Sequence, residues 1–395
     1  VNAKNVKELI KTTAKAHGFQ RVSIGSLEPL QAAKLEYEDW LGKDFAAGMD
    51  YLKRNTELRT SPALLYPGSL SAIIVAVSYY TEPSELSDHP FDGRVARYAV
   101  GLDYHAVIRA RLRAFREALE RELGRPLLGK AFTDDVALHE QSFATRHGIG
   151  FKGRHTLVIG PKLSGSYYFL AELFCDLEIE ADGPYNGTCG ACSRCITACP
   201  TSAITTDGHV DANRCISYLT IENKGGIPQE LRSMLGRWVF GCDICQDVCP
   251  YNQRPPDTTW DEFRPEKGAG HYLDLMSVIS IADETEFRER FGHTPLRRPK
   301  RRGLLRNSLV VIGNVLAECR SMSSLSDVQL NWVQCVSEKL QMIVTQESDA
   351  MLREHAFWSF SQSPIVCREG ALKLVANETD ELTVQLMEHH LKNIN

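Results

Sequence analysis

Eight of the twelve cysteines fall into two adjoining runs: Cys189-x-x-Cys192-x-x-Cys195-x-x-x-Cys199-Pro200, then Cys215 alone, then Cys242-x-x-Cys245-x-x-x-Cys249-Pro250. Thiolates at this spacing hold pairs of 4Fe-4S clusters. A cubane needs four thiolates at the corners of a tetrahedron, and a tight loop supplies three. The fourth comes from a distant Cys-Pro, where the chain leaves its loop and hands the last thiolate to the other cluster. On this logic Cys189, Cys192, Cys195 and Cys249 hold one cluster, and Cys199, Cys215, Cys242 and Cys245 the second. Zinc is the competing chemistry, since it also takes four thiolates from Cys-x-x-Cys knuckles. The third cysteine two residues on and both Cys-Pro endings favour clusters. Two clusters move electrons one at a time, which leaves open where the electrons go.

A second concentration of chemistry is basic. Arg297, Arg298, Lys300, Arg301, Arg302 and Arg306 place six cations in ten positions of a chain whose net charge is −5. Such a patch grips a polyphosphate while the acidic remainder avoids nonspecific binding; the plainer alternative is a solvated surface loop.

The chain must position these groups with 395 residues, enough for two or three domains, and its 24% charged content is that of an ordinary soluble protein. No apolar run approaches the roughly 20 residues of a membrane span, and no export signal precedes one, so a cytoplasmic protein is expected. In that compartment cysteines are thiols or metal ligands rather than disulfides. The remaining four, Cys175, Cys319, Cys335 and Cys367, are expected to be small core residues.

Residues 1–17 carry a helical apolar period, 71–80 form a β-branched run suited to a buried strand, 106–123 read as a charged helix, 136–145 as a helix, and 155–160 and 166–174 as further strands. These describe an α/β domain over 1–180. A cluster module with short helices follows over 181–258. Beyond Pro255-Pro256 the apolar periods of 304–318, 325–344, 350–361 and 365–376 give consecutive helices over 259–395, stacked as HEAT-type pairs or as a plain bundle. The expected fold is therefore α+β and multidomain: α/β, two-cluster ferredoxin-like, then α-helical and HEAT-like.

Several segments together resemble the epoxyqueuosine reductases. They are Arg59-Thr-Ser-Pro62 with Pro67-Gly68, Arg97-Tyr-Ala-Val-Gly101-Leu-Asp103-Tyr104-His105, Thr133-Asp134, Gly148-Ile-Gly150-Phe-Lys-Gly153, Gly165-Ser166-Tyr-Tyr-Phe-Leu170-Ala-Glu172, both cysteine runs, Cys215-Ile-Ser217-Tyr-Leu-Thr220 and Phe240-Gly-Cys242-Asp243. The likeness spans nearly the whole chain. The cysteine runs alone fit many ferredoxins, whereas their combination with Asp-Tyr-His upstream and a helical C-terminal part is much narrower.

The resemblance implies reduction of epoxyqueuosine to queuosine in the anticodon loop of tRNA. It also implies cobalamin between the first domain and the cluster module, fed by the clusters from an external low-potential donor; a monomer is expected separately, because no long exposed apolar stripe demands a partner. It points to Asp134 as proton donor, to Arg59, Ala96, Arg97, Asp134, Val158, Leu170, Ser217 and Asp243 as cobalamin contacts, and to no protein ligand on cobalt, so that His105, His139, His147 and His155 are structural. The residues alone offer another role for Asp134, the N-cap of a helix starting near Val136, which Asp135 could fill instead. Gly153-Arg154-His155 departs from the family's Gly-Lys-Asn, and 136–141 lacks the proline and arginine common after the aspartate. The competing function is a corrinoid reductase of small molecules, akin to reductive dehalogenases.

Overall fold

Ser71–Ser78 is an eight-residue run buried at every position, as its β-branched, uncharged sequence demands of a strand covered on both faces. It sits second in a four-stranded antiparallel sheet ordered Arg21–Gly25, Ser71–Ser78, Tyr168–Cys175, Gly129–Phe132. The computed structural model describes residues 3–83, 90–392 and 394. The chain divides into two units built from interleaved segments: Val1–Pro83, Val100–Cys215 and Asp243–Gly268 form the first, and Ser84–Ala99, Ile216–Cys242 and Ala269–Asn395 the second. Strand pairing between distant segments is what interleaves them.

In the first unit, helices Ala3–Ala16 and Tyr104–Leu123 pack on each other and on the sheet. Side chains alternate along a strand, so Ala72, Ile74, Ala76, Phe174 and Phe132 turn to a common face. There they pack with Leu138, Phe143, Ala144, Ile149 and Val158. That cover is the loop 133–139 and the short helix Glu140–Arg146. Of the eight cysteines expected to hold clusters, all but Cys242 belong to this unit, and Cys242 ends a segment of the second.

In the second unit, Asp92–Val95 pairs parallel with Trp238–Phe240 and antiparallel with Tyr272–Asp274. Helix Lys300–Ser321 runs through the middle, buried at nearly every position from Gly303 to Leu316. Its two buried asparagines are satisfied by backbone carbonyls. Asn307 Nδ2 donates to Thr220 and Val239, and Asn314 Nδ2 to Arg232 and Gly236. Asp327–Gln346, Ala350–Ser361, Arg368–Ala376 and Glu381–Leu391 follow, with Ala350–Ser361 packed against the central helix, Asp327–Gln346 and Glu381–Leu391. A bidentate ion pair between Arg232 and Glu354, at 2.9 and 2.8 Å, fastens this layer from within. His390 donates to the same carboxylate at 2.6 Å.

Most of the expected elements are present with shifted ends, and three expectations need correction. The helix expected over 136–145 starts only at Glu140, because Asp134 adopts φ +52° and the Leu138 N–H turns back to the Val136 carbonyl. The strand expected over 155–160 shrinks to Val158–Ile159, since Gly153 to Leu157 closes a turn. Cys335 and Cys367 are exposed whereas Cys175 and Cys319 are buried; Cys367 Sγ accepts the Gly370 N–H at the start of Arg368–Ala376. Of the helix expected over 1–17, positions 1 and 2 lie outside the described residues.

Candidate active site

Asp134 occupies the loop that leaves strand Gly129–Phe132. Its side chain is 65% exposed, and its backbone is left-handed at φ +52°, a conformation Asp and Asn tolerate better than most residues. The helix that follows begins at Glu140, six residues on, with His139 as its N-cap, so Asp134 caps nothing. Nor does Asp135, whose Oδ1 accepts the Thr133 N–H at 3.0 Å while Oδ2 receives Arg109 at 2.8 Å. The Asp134 carboxylate accepts the Tyr104 hydroxyl at Oδ2, 2.5 Å away. Tyr104 opens helix Tyr104–Leu123, its ring stacked between His105 and Phe169 at centroid distances of 4.1 and 4.4 Å. His105 Nε2 stands 4.0 Å from the same Oδ2, and its Nδ1 is held by Asp103 at 2.8 Å. Asp103 also accepts the His105 N–H as N-cap of that helix.

Two further acids lie at this loop. Glu140 Oε1 accepts the Asp134 N–H at 2.7 Å; burial and the Asp134 carboxylate push the Glu140 carboxyl up to about 8. Glu172, fully buried in Tyr168–Cys175, pairs in register with Ile74 on one side and Phe132 on the other. Neither of its carboxyl oxygens has a hydrogen-bond partner. Burial, then the charges of Glu140 and Asp134, hold it well above the ordinary carboxyl range. The sequence reading assigned neither acid a role. A lone glutamate inside the apolar run Phe-Leu-Ala-Glu-Leu-Phe was the available signal for Glu172, whereas nothing in the spacing marked Glu140.

Of the residues the family resemblance assigns to cobalamin, Arg59, Asp134, Val158, Leu170 and Asp243 belong to the first unit, and Ala96, Arg97 and Ser217 to the second. Val158 and Leu170 join the core under the 133–139 loop. The Leu170 carbonyl accepts Thr133 Oγ1 at 3.4 Å. Arg59 gives one guanidinium nitrogen to the Tyr51 carbonyl, and its own carbonyl receives the His139 N–H at 2.8 Å. Arg59 Nε and His139 Nδ1 are buried without partners. Asp243 is 2% exposed, ahead of the turn Ile244–Asp247. Ala96 is buried and donates its N–H to the Phe240 carbonyl; Arg97 opens a short 3-10 turn; Ser217 lies on helix Ile216–Ile221. The other histidines are engaged locally: His147 Nδ1 with the Asp182 carbonyl and His155 Nδ1 with the Leu157 N–H.

The cysteines gather in two sets. The Cys249 thiol is pushed up by burial and then by its neighbours Cys189, Cys195 and Cys192, and it packs with Cys189, Phe151, Ile159 and Tyr251. Cys245 is pushed well up by burial and then by Cys215, Asp243, Cys195 and Cys199. Cys242 precedes it by three residues. Thiolates so crowded repel one another unless a cation sits among them, which is the chemistry iron supplies. Among the described residues no three His, Cys, Asp or Glu side chains converge on one point as a single ion requires; a cubane offers a separate iron to each thiolate.

The basic run divides. Arg297, Arg298, Lys300 and Arg302 are exposed. Arg298 pairs with Glu222 at 2.8 Å and Arg302 with Asp349 at 2.5 Å. Arg301 turns inward to the Ile281 carbonyl and Glu347. Arg306 corrects the expectation of six phosphate contacts: it is 0% exposed and spends its guanidinium on the carbonyls of Asn223, Gly225 and Leu219 and on Asn307. Burial, then the neighbouring Arg302, lowers it to about 10, so it stays cationic. A helix placed centrally in its unit cannot keep all its cations at the surface.

Comparison with known proteins fits this geometry. Residues 59–135 match the family model described as epoxyqueuosine reductase QueG, DUF1730, and residues 188–252 the 4Fe-4S double cluster binding domain. The epoxyqueuosine reductase of Aliivibrio fischeri is 35% identical over 88% of this chain and 93% of its own length. That of Pseudomonas aeruginosa is 39% identical over 77% and 84%. A crystal structure of epoxyqueuosine reductase with an epoxyqueuosine-modified tRNA-Tyr stem loop superposes with a TM-score of 0.86, at 26% identity and full coverage of both chains. A Bacillus subtilis epoxyqueuosine reductase, with its catalytic aspartate loop swung out of the active site, gives 0.86 at 25% identity, again over both full chains. The chain is thus an oxidoreductase that reduces epoxyqueuosine to queuosine in tRNA, with two 4Fe-4S clusters and cobalamin as cofactors; it belongs to the epoxyqueuosine reductase family.

Proposed function

We propose that Asp134 donates the proton that lets the epoxide oxygen depart, held for that task by Tyr104 and by the Asp103–His105 pair. Turning an epoxide into a double bond consumes two electrons and two protons and releases water. Without an acid the oxygen would leave as an unstabilised alkoxide. The observation that carries the reading is the approach of the Tyr104 hydroxyl and His105 Nε2 to one carboxylate oxygen, at 2.5 and 4.0 Å. His105, oriented by Asp103 and open to solvent on one side, stands where it can restore the proton. The swung-out aspartate loop of the Bacillus subtilis relative supports reading 133–139 as the segment that carries the acid.

Cobalamin, when bound, supplies a low-potential metal centre able to deliver electrons to carbon, chemistry that no side chain provides. Arg59, Ala96, Arg97, Val158, Leu170, Ser217 and Asp243 would hold it. The buried, unpartnered Arg59 Nε and His139 Nδ1 suit a ligand fringed with amides. Cys189, Cys192, Cys195 and Cys249 would hold one cluster and Cys199, Cys215, Cys242 and Cys245 the other, and the clusters would supply single electrons drawn from an external low-potential donor. In this reading 1–180 serves cobalamin, 181–258 the clusters, and the HEAT-like 259–395 the tRNA, with Arg297, Arg298, Lys300 and Arg302 on its phosphates. The enzyme works as a cytoplasmic monomer.

Asp134→Asn tests the acid directly. Asn keeps the shape, accepts the Tyr104 hydroxyl and tolerates the left-handed backbone. The variant should retain both clusters and cobalamin yet lose roughly 10²- to 10⁴-fold in single-turnover rate with chemically reduced enzyme. A near-normal rate with intact cofactors would rule the acid out.

A further inference from the structure

We infer that Glu140 is the positioning residue that latches the Asp134 loop in its working place, by accepting the backbone N–H of Asp134 itself; the inference rests on Asp134 as the acid. The loop 133–139 is tied at both ends by bonds that leave Asp134 to be fixed separately. At its start Thr133 donates to Asp135, which Arg109 holds, and to the Leu170 carbonyl. At its finish Leu138 is buried in the core and the His139 N–H goes to the Arg59 carbonyl. Between these anchors Asp134 sits at φ +52°, a backbone state that persists only where its surroundings impose it. The Asp134 peptide has one hydrogen to give, and it goes to Glu140 Oε1 at 2.7 Å.

Glu140 is well placed to act as a latch. It opens the first turn of Glu140–Arg146, whose Phe143 and Ala144 are fixed in the core, so the carboxyl is carried on a rigid element rather than on the loop it restrains. Its neighbourhood is acidic: Asp134 and Asp135 bear on it, and it bears in turn on the buried Glu172. Burial beside Asp134 makes this a poor place for an ionisable side chain whose only purpose is stability, and the acceptor contact to the Asp134 N–H explains its presence. Tyr104 fixes the other end of the same residue, the carboxylate. Asp134 is thus gripped at backbone and side chain from two different helices. Releasing the backbone grip should let the loop leave while Tyr104, Asp103 and His105 stay in place.

The test uses the full chain loaded with its cofactors. Glu140→Ala should speed hydrogen exchange at the amides of 133–139 and cut the single-turnover rate by about 10- to 100-fold, the cost of a small misplacement of a reacting group. Affinity for the modified tRNA should be unchanged. Glu140→Gln keeps an acceptor oxygen at the same reach and should restore both protection and most of the rate. Unchanged exchange in Glu140→Ala overturns the latch, as does faster exchange with an unaltered rate, or a Gln variant as impaired as Ala. Should Asp134→Asn prove fully active while Glu140→Ala still loosens the loop, the acid assignment falls and the latch stands.

Discussion

The Tyr104 hydroxyl meets Asp134 Oδ2 at 2.5 Å, and this contact joins the first turn of a long helix to the loop after a short strand. The two residues are thirty positions apart and come together because Tyr168–Cys175 pairs with Gly129–Phe132 while Tyr104–Leu123 packs on the same sheet. The tyrosine ring is itself clamped by Phe169. A rigid aromatic therefore presents a single donor to the carboxyl. Tyr104→Phe keeps the stacking and removes that donor. Losing the donor that places the carboxyl should lower the single-turnover rate roughly 10- to 100-fold, the cost of a small misplacement of a reacting group, with cofactor content unchanged. A full rate in the Phe variant would leave Asp134 positioned by its backbone alone.

The neighbours of Cys249 lead to a prediction about ligation. Replacing Cys249 with serine should damage the cluster held by Cys189, Cys192 and Cys195 and spare the one to which its near neighbours in sequence, Cys242 and Cys245, belong. Iron analysis with electron paramagnetic resonance of the reduced protein distinguishes the two losses. Loss of the other cluster would refute the crossed assignment.

The divided basic run separates RNA binding from folding. Lys300→Gln should weaken tRNA binding and reduce its salt dependence by up to about one unit of slope, the share of one phosphate contact. Arg306→Ala leaves the Asn223, Gly225 and Leu219 carbonyls without their donor, at about 1–3 kcal/mol for each buried unsatisfied group. Its effect should appear in the thermal midpoint, with the salt slope intact. A changed slope in a stably folded Arg306→Ala would return that residue to the RNA surface.

The legible parts of the sequence were those where local pattern and tertiary role coincide. The cysteine spacing is one such case, because a cluster is held mostly by loops whose spacing is written in the chain. The apolar period of 350–361 is another, and the observed helix is Ala350–Ser361. Charge is where local reading failed. Arg306 and Lys300 look alike in a run of cations, and only the packing of Lys300–Ser321 decides that one is sealed inside and the other exposed. The late start of Glu140–Arg146 was hidden for a similar reason: the periodicity of 136–145 is helical, but a left-handed Asp134 and the contacts of Leu138 override it. Gly129–Phe132 is four residues long, too short for its alternation to register. Glu140 and Glu172 come near each other only because helix Glu140–Arg146 packs on strand Tyr168–Cys175.

In the second unit, burial alone would raise the Glu354 carboxyl. Hydrogen bonds from His355 and His390, then the charge of Arg232, outweigh it and hold the group well below the usual carboxylate range. A depressed folded value means stability that is present above the unfolded carboxyl value of about 4.3 and is lost as pH falls below it. Glu354→Gln removes this dependence and leaves Arg232 buried without its counter-charge, costing about 3–5 kcal/mol. Denaturation of both proteins between pH 3 and pH 7 checks the claim, and parallel curves would contradict it.

Glu172 works in the opposite sense. Its folded value is raised well above the ordinary 4.5 by burial and then by the charges of Glu140 and Asp134, so above the unfolded carboxyl value the folded state holds its proton more tightly than the unfolded one. Folding must then recover a proton, and the penalty grows with pH by about 1.4 kcal/mol per unit from the unfolded carboxyl value up to the folded one. The protein should therefore lose stability through Glu172 as pH rises above about 4.3. Glu172→Gln is neutral in both states and nearly the same size, so the difference in stability between variant and parent isolates this one titration from every other. That difference should favour the variant and widen as pH rises above the unfolded carboxyl value of about 4.3. Because the charge of Glu140 also raises Glu172 and the Glu140 carboxyl is itself pushed up to about 8, a Glu140→Gln background should reduce the widening only as pH approaches 8, which a double-mutant cycle measures. A stability difference that stays constant with pH would mean that Glu172 is ionised in the folded protein and has a partner.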